Sequence, residues 1–242
     1  MDSGTAVTDA ADVTQLPMSA ADRGSGGLRV ENLSKTYHGT NKALFTDMNF
    51  EVERGGRFAI LGRNGQGKST LIKMLGGILG PTTGRIKWEM TQSWPIGFGG
   101  GFQGSMSGLD NIRFLARLYD KDFGDLLERV DSFAELGSSL KLPVKIYSSG
   151  MRARLAFGLS LAIEFDCYLI DELVAVGDAR FQRKCTEEIF EKRGERAFIM
   201  ATHSTDMVLA FCDRAMIIES GTAKIFDDVA EAVDIYTWLR AA

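Results

Sequence analysis

The stretch that decides how this chain is read runs from Arg57 to Gly76, RFAILGRNGQGKSTLIKMLG. The apolar run Phe58 to Leu61 predicts a short buried strand. It ends in a turn containing Gly62, Gly65 and Gly67, and Lys68, Ser69 and Thr70 then open an amphipathic segment rich in Leu, Ile and Met. Strand, glycine-rich loop and helix follow in that order. A loop that wraps a triphosphate needs unusual backbone angles and close approach of its amides, and a Cβ opposes both. The start of the helix adds unpaired N–H groups and the positive end of the helix dipole, so backbone alone binds anionic oxygens there. Lys68 contributes a point charge for the β- and γ-phosphates, and Ser69 a hydroxyl able to ligate Mg²⁺. A glycine-rich turn with a surface lysine would use the same residue types. The strand before and the helix after are the context that the phosphate-loop reading requires.

With 242 residues, 45% of them hydrophobic, the chain can bury a sizeable core as one large domain or as one with a subsidiary lobe. The net charge of −4 and the pI near 5.4 argue against a broad nucleic-acid footprint, because duplex binders carry a basic face. Local basic patches are compatible with that balance. Cys167, Cys185 and Cys212 lie far apart, show no C-x-x-C spacing and are odd in number. That speaks against a disulfide framework or a zinc site, and for reduced, mostly buried thiols in a cytosolic protein. No apolar run approaches the roughly 20 residues needed to cross a bilayer, so the chain forms no membrane channel by itself. Met1 to Gly27 is rich in Ala, Asp, Ser, Thr and Gly and has neither a basic start nor an apolar stretch. The expectation is a disordered tail; translation from Met18 is the alternative, and an intact mass of the native protein decides between them.

Leu28 to Tyr37 alternates apolar and polar residues as a half-buried strand does, and Ala43 to Glu53 repeats the pattern after a His38-Gly39-Thr40-Asn41 turn. Together they predict an antiparallel sheet laid beside the phosphate-loop strand. The turn Gly80 to Gly84 then leads into a short strand, Arg85 to Glu89. Ser93 to Gly108, SWPIGFGGGFQGSMSG, fits neither period and reads as a flexible loop with a few large apolar side chains. Helical patterns over Leu109 to Tyr119 and Phe123 to Leu136, closed off by Pro143, form the expected second lobe. Ser148 and Ser149 precede a long apolar helix, Gly150 to Glu164. A strand at Cys167 to Ile170, a charged helix at Arg180 to Lys192 and a buried strand at Arg196 to Ala201 come next. Arg214 to Glu219 and Thr222 to Phe226 make a hairpin-like pair around Ser220-Gly221, and a helix, Val229 to Arg240, closes the chain. This alternation predicts an α/β fold with a largely parallel sheet and helices on both faces. No internal repeat is visible.

Asp171 ends an apolar strand, where open α/β sheets place their ligands, and can hold Mg²⁺ opposite the Ser69 hydroxyl. Glu172, the next residue, points elsewhere and is the candidate for orienting the attacking water in phosphoryl transfer. Acidic pairs after strands also occur as plain solvated turns. His203 follows another buried strand and precedes a Ser204-Thr205-Asp206 helix start; it can reach a γ-phosphate, or it can cap and pack. Tyr147-Ser148-Ser149-Gly150-Met151 sets two hydroxyls and free amides at a helix N-terminus. Read alone, this is either a second anion site or a double-serine cap.

These four pieces, in this order, resemble the nucleotide-binding subunit of ABC transporters over about Leu28 to Leu239. Gly62 to Thr70, with Asn64 inside it, is similar to the Walker A motif; Tyr147 to Met151 to the signature motif; Asp171-Glu172 to Walker B with the catalytic glutamate; and His203 to the switch histidine. The resemblance implies a P-loop NTPase core with a mostly parallel sheet, an antiparallel β subdomain and an inserted α-helical subdomain at about residues 104–165, all within a nucleotide-binding domain spanning residues 28–242. It implies ATP and Mg²⁺ as cofactors. Tyr37 would stack on adenine; Lys68, Glu172 and His203 would be catalytic; Gln103 would sense Mg²⁺ and the attacking water beside the membrane partner. The signature departs from L-S-G-G-Q, with Ser149 for a glycine and Met151 for the glutamine, while Ser148 and Gly150 are kept. Ala175-Val176-Gly177-Asp178 stands where Ser-x-x-Leu-Asp is usual, which leaves Asp178 as the dimer contact. Tyr-Ser-Ser-Gly-Met together with the Ser93 loop is similar to the subgroup that exports capsular and related polysaccharides. O-antigen exporters of that subgroup often append a carbohydrate-binding domain, and the chain's end at Ala242 tilts the expectation toward capsule export.

In that family two chains meet head to tail, each ATP lying between Lys68 of one chain and Ser148 and Gly150 of the other. The implied assembly is a homodimer on integral membrane permease subunits, peripheral to the cytoplasmic face of the inner membrane, with the polysaccharide handled by the permease and no nucleic acid involved. Trp94, Phe98 and Phe102 either line the groove for the permease's cytoplasmic helix or pack against the helical lobe. Export of O-antigen or teichoic acid, an ABC ATPase outside transport and a small-molecule kinase are the rival readings. Glu172→Gln separates the kinase from the others, because a kinase has no reason to accumulate as a nucleotide-bound dimer.

Overall fold

A computed structural model describes residues 26–37, 39, 42–96, 102–172 and 179–241. Residues 1–25 of the expected tail, most of the 38–41 turn, Phe98 and the segment containing Asp178 lie outside the described residues.

The larger sheet holds β3 (Arg57–Leu61), β5 (Cys167–Asp171), β6 (Ala197–Ala201), β7 (Arg214–Glu219) and β8 (Thr222–Phe226), in the order β5-β6-β3-β7-β8. The first four strands run parallel, and β8 joins antiparallel through the hairpin read from Ser220-Gly221. These strands read as unbroken apolar runs because both faces of the sheet are covered. Alternate residues serve two different cores. Ala59 and Leu61 of β3, with Tyr168, Ile170, Phe198 and Met200, face one cluster; Phe58 and Ile60, with Cys167, Leu169, Ile199 and Ala201, face the other.

The smaller sheet contains β1 (Leu28–Thr36), β2 (Ala43–Val52) and β4 (Thr83–Trp88), ordered β2-β1-β4 and antiparallel throughout. The pairing of β1 with β2 is the one expected, and the sheet lies beside β3 without hydrogen-bonding to it. It packs face-on, with Phe50 stacked on Phe58 at 5.6 Å, and meets the β7–β8 turn through Thr46 N–H to Gly221 O at 3.1 Å. The physical reason is that β3 already has a parallel neighbour on each edge, β6 and β7.

Helix α1 (Lys68–Leu75) follows β3 and packs on β5 and β6. Between β4 and β5 lie α2 (Gly108–Leu118), α3 (Phe123–Ala134) and α4 (Ser149–Ala162), packed on one another. Leu155 to Ala162 is buried without a break. The helix read as Arg180 to Lys192 divides into α5 (Ala179–Thr186) and a π-helical turn, Glu187–Glu191. Beyond it come α6 (Thr205–Phe211) and α7 (Val229–Ala241).

The loop expected over Ser93 to Gly108 is fixed at its start. Ser93 N–H donates to Cys167 O at 2.9 Å and Ile96 N–H to Leu169 O at 2.7 Å, so this extended stretch lies on the outer edge of β5. Glycines and aromatics hid the strand character, and an open sheet edge supplied it. Trp94 is turned inward: its Nε1–H donates to Ser160 Oγ at 2.8 Å, and its ring meets Phe165 and Tyr119 at 5.6 and 6.0 Å. Phe102 packs against the same core. Of the two alternatives for these aromatics, packing against the helical block describes Trp94 and Phe102. The three cysteines are free thiols, Cys167 and Cys185 buried and Cys212 half-buried.

Candidate nucleotide site

The phosphate loop lies between the carboxyl end of β3 and α1. Gly67 caps α1 with φ 102°, and no side chain caps that end or places an acid in its first turn. The helix therefore offers amides and dipole to an anion without an acidic residue of its own in that turn. At Gly62, φ is 156° and a Cβ would stand 2.5 Å from Ile218 O, so only glycine lets the loop leave β3 this close to β7. Lys68 is 7% exposed, and its Nζ donates to Gly62 O at 2.7 Å and Arg63 O at 3.2 Å. Burial draws its pKa below that of an ordinary lysine, while the negative fields of Glu172 and Asp171 act the other way. A cation already desolvated and aimed over the loop suits a phosphate better than a solvated one.

Register in the larger sheet brings the acids and the histidine together. Asp171 pairs with Ala201 across β5 and β6, so Glu172 and His203 emerge side by side just beyond the strand ends. Ser69 Oγ donates to Asp171 Oδ1 at 2.8 Å. Glu172 turns away from the strand with φ 44°, its N–H held by Ala201 O at 2.8 Å. That left-handed backbone costs about 1 kcal/mol or more in a non-glycine residue, and it sends the Glu172 carboxylate to His203, with Oε1 3.0 Å from Nδ1. Both side chains remain substantially exposed. With Glu172 ionised, the carboxylate only accepts, so the hydrogen of this contact rides on Nδ1.

The hydroxyl of Tyr37 lies 3.0 Å from Thr70 Oγ1, which sets its exposed ring beside the first turn of α1. Ser148 caps α4, its Oγ accepting from Met151 N–H at 3.2 Å, and no acid occupies that first turn. A Cβ at Gly150 would meet nothing nearer than Ser148 Oγ at 3.9 Å, so the approach to these amides is open. Ser148 and Gly150 sit on a helix packed against α2 and α3, and among the described residues no hydrogen bond joins them to the phosphate loop. Gln103 is exposed, and its backbone is held by Asn111. Among the described residues no hydrogen bond joins its side chain to Ser69 or Asp171. Thus the structure brings Lys68, Ser69, Thr70, Tyr37, Asp171, Glu172 and His203 around one helix start, and leaves Ser148, Gly150 and Gln103 outside that cluster.

For a divalent cation, Ser69 and Asp171 offer adjacent hard oxygens, the donor type that Mg²⁺ takes when substrate phosphates and water complete its shell. Among the described residues no group of three or more His, Cys, Asp or Glu side chains could hold a metal by itself. The Ser69 hydroxyl and the Asp171 carboxylate, 2.8 Å apart, are hard oxygens of the type that fits a divalent cation completed by phosphate and water.

One contact escaped the sequence reading. Gln66 bridges the loop to the β7–β8 turn, its Oε1 accepting from Ser220 N–H at 2.9 Å and its Nε2 donating to Glu219 Oε1 at 3.3 Å. No local pattern could reveal it, because the partners are more than 150 positions apart.

Comparison with known proteins agrees with this geometry. The profile of the family described as ABC transporter matches residues 45–175. The chain is 49% identical to the ATP-binding protein BexA of Haemophilus influenzae over 211 residues, covering 86% of this chain and 97% of that one. It is also 49% identical to the capsule polysaccharide export ATP-binding protein CtrD of Neisseria meningitidis serogroup B over 214 residues, covering 88% and 99%. A solved ATP-binding subunit of an ABC transporter superposes with a TM-score of 0.72 at 23% identity, covering 86% of this chain and 94% of that one, which shows the shared fold. With its glycine loop, its paired acids and near full-length relatives of this kind, the chain belongs to the ABC transporter family, as an ATP-binding subunit with ATPase activity.

Proposed function

We propose that two copies of this chain hydrolyse ATP to drive export of a capsular-type polysaccharide through integral membrane permease subunits, bound at the cytoplasmic face of the inner membrane. The observation that carries this reading is the 49% identity with a capsule polysaccharide export ATP-binding protein along 99% of that protein's length. Among the described residues no helix is long and apolar enough to cross a membrane, in keeping with a subunit that works on membrane partners. Residues 28–242 form the nucleotide-binding domain in this proposal, with a helical subdomain at about 104–165.

The loop amides of Gly62, Asn64, Gly65 and Gly67 and the start of α1 bind the phosphates. Lys68 swings its ammonium from the Gly62 and Arg63 carbonyls to the terminal phosphates, and Thr70 and Tyr37 border the nucleotide. Ser69 and Asp171 would hold Mg²⁺, which would supply neutralisation of the phosphate charge. Glu172 orients the attacking water and draws its proton, and His203 fixes the Glu172 carboxylate through the 3.0 Å contact. In this proposal the amides at Ser148 and Gly150, at the start of α4, serve the ATP of the second copy. Two helix N-termini then face one γ-phosphate, each worth about half a positive charge, and hydrolysis removes the anion that holds them together.

Glu172→Gln tests the proposal. It should bind ATP, lose about 10²-fold or more in kcat and accumulate as a nucleotide-bound dimer. In the native host it should abolish surface polysaccharide while still copurifying with the permease. Full surface polysaccharide in a host carrying only this variant would refute the export reading.

A further inference from the structure

Asn111 is a buried polar side chain that the mechanism above does not use. It sits in the first turn of α2, 3% exposed among Ile112, Leu115 and their neighbours. Its Oδ1 accepts from Gln103 N–H at 2.7 Å, and its Nδ2 donates to Gln103 O at 3.2 Å and to Ser107 O at 2.8 Å. One amide thus grips both polar groups of Gln103's backbone. Only asparagine has the length and the donor–acceptor pair to do this, since aspartate cannot donate and leucine can do neither. An unpaired amide buried here would be unfavourable, so the grip is also what makes the burial tolerable.

Two further contacts extend this unit. Lys145 N–H donates to Gly104 O at 2.7 Å and Val144 N–H to Met106 O at 2.9 Å, so the segment after Gln103 is bonded to the stretch that runs directly into the Ser148 cap. On the other side, Ile96 is bonded to Leu169 of β5, the strand that ends in Asp171. The segment around Gln103 is therefore tied by hydrogen bonds to the stretch that leads into Ser148.

We propose that Asn111 is a positioning residue that fixes the backbone of Gln103 to α2, so that the Gln103 side chain is set toward the ATP of its own chain by the same hydrogen-bonded stretch that leads into the Ser148 cap, which serves the ATP of the second copy. This rests on the reading of Gln103 as a residue of the nucleotide site, and the experiment separates the two. Steady-state ATPase of the full chain is measured for Gln103→Ala, Asn111→Ser and the double variant. Each single variant should lower kcat by about 10-fold, the scale of misplacing a group near the reacting atoms, with KM for ATP little changed. The double variant should be no worse than Gln103→Ala within about twofold. Losses that multiply would overturn the proposal, because Asn111 would then act independently of Gln103. An unaffected Gln103→Ala would overturn the reading of Gln103 itself and, with it, any catalytic role for the grip.

Amide hydrogen exchange on the unaltered protein tests the grip directly. The Gln103 amide should exchange at least about 10-fold more slowly than those of Gly104 and Ser105, for which no acceptor exists among the described residues. Equal rates would overturn the proposal even if Asn111→Ser does not fold.

Discussion

Replacing Gln66 by alanine should loosen the phosphate loop without touching any group placed in the chemistry. The side chain makes two bonds across the base of the loop, at 2.9 Å to Ser220 N–H and at 3.3 Å to Glu219 Oε1. Each is worth about 1 kcal/mol net, the longer one helped by the carboxylate, so the loss should be about 2 kcal/mol. Among the described residues Glu219 Oε2 is already buried without a partner, and truncation would take a donor from Oε1 as well. For a chain of this size, about 2 kcal/mol corresponds to a melting temperature lower by roughly 4–8 °C. If that free energy is recovered only when ATP organises the loop, affinity should fall by up to about 30-fold. Calorimetric titration with ATP and a thermal melt measure the two quantities. Saturating ATP should leave kcat near that of the unaltered protein, because Lys68, Ser69, Asp171, Glu172 and His203 keep their contacts. An unchanged melting temperature together with unchanged affinity would refute the bridge; a collapse of kcat at saturation would show that Gln66 acts in the reaction.

Ser148→Ala removes the Oγ that caps α4 and should cost about 1 kcal/mol in urea unfolding, while abolishing the ATP-dependent dimer in size-exclusion chromatography. Trp94→Ala should lower stability by about 3 kcal/mol and leave Ser160 Oγ without its donor, so a melt should reveal the loss even in the isolated protein. Thiol chemistry supplies a pH test. Burial pushes the Cys185 and Cys212 thiols up to about 12 from the ordinary 9.0. Above pH 9 the unfolded chain gives up these protons before the folded one does, so stability should fall as pH rises from about 9 toward 12. Replacing both by alanine should flatten that slope, and in the unaltered protein a thiol reagent at pH 8 should label both far faster in urea than in buffer.

The sequence alone determined the elements whose causes are local. Gly62, Gly65 and Gly67 announce a loop that a Cβ would spoil, Ser148 sits where a helix needs a cap, and the short apolar runs at β3, β5 and β6 read as buried strands. Asp171, Glu172 and His203 were legible as candidates because they follow such strands. What placed them together was the parallel register of β5 and β6, a hydrogen-bond pattern between segments about thirty residues apart that no single stretch encodes. Tertiary structure likewise decided the separate three-stranded sheet, because β3 had no free edge; the inward turn of Trp94, because Ser160 and Phe165 waited across α4 and its following turn; and the Asn111 grip on Gln103. The physical division is one of range. Backbone angles, caps and periodicity act within a few residues, whereas sheet order, register and the satisfaction of buried polar groups depend on which distant segments the whole chain brings into contact.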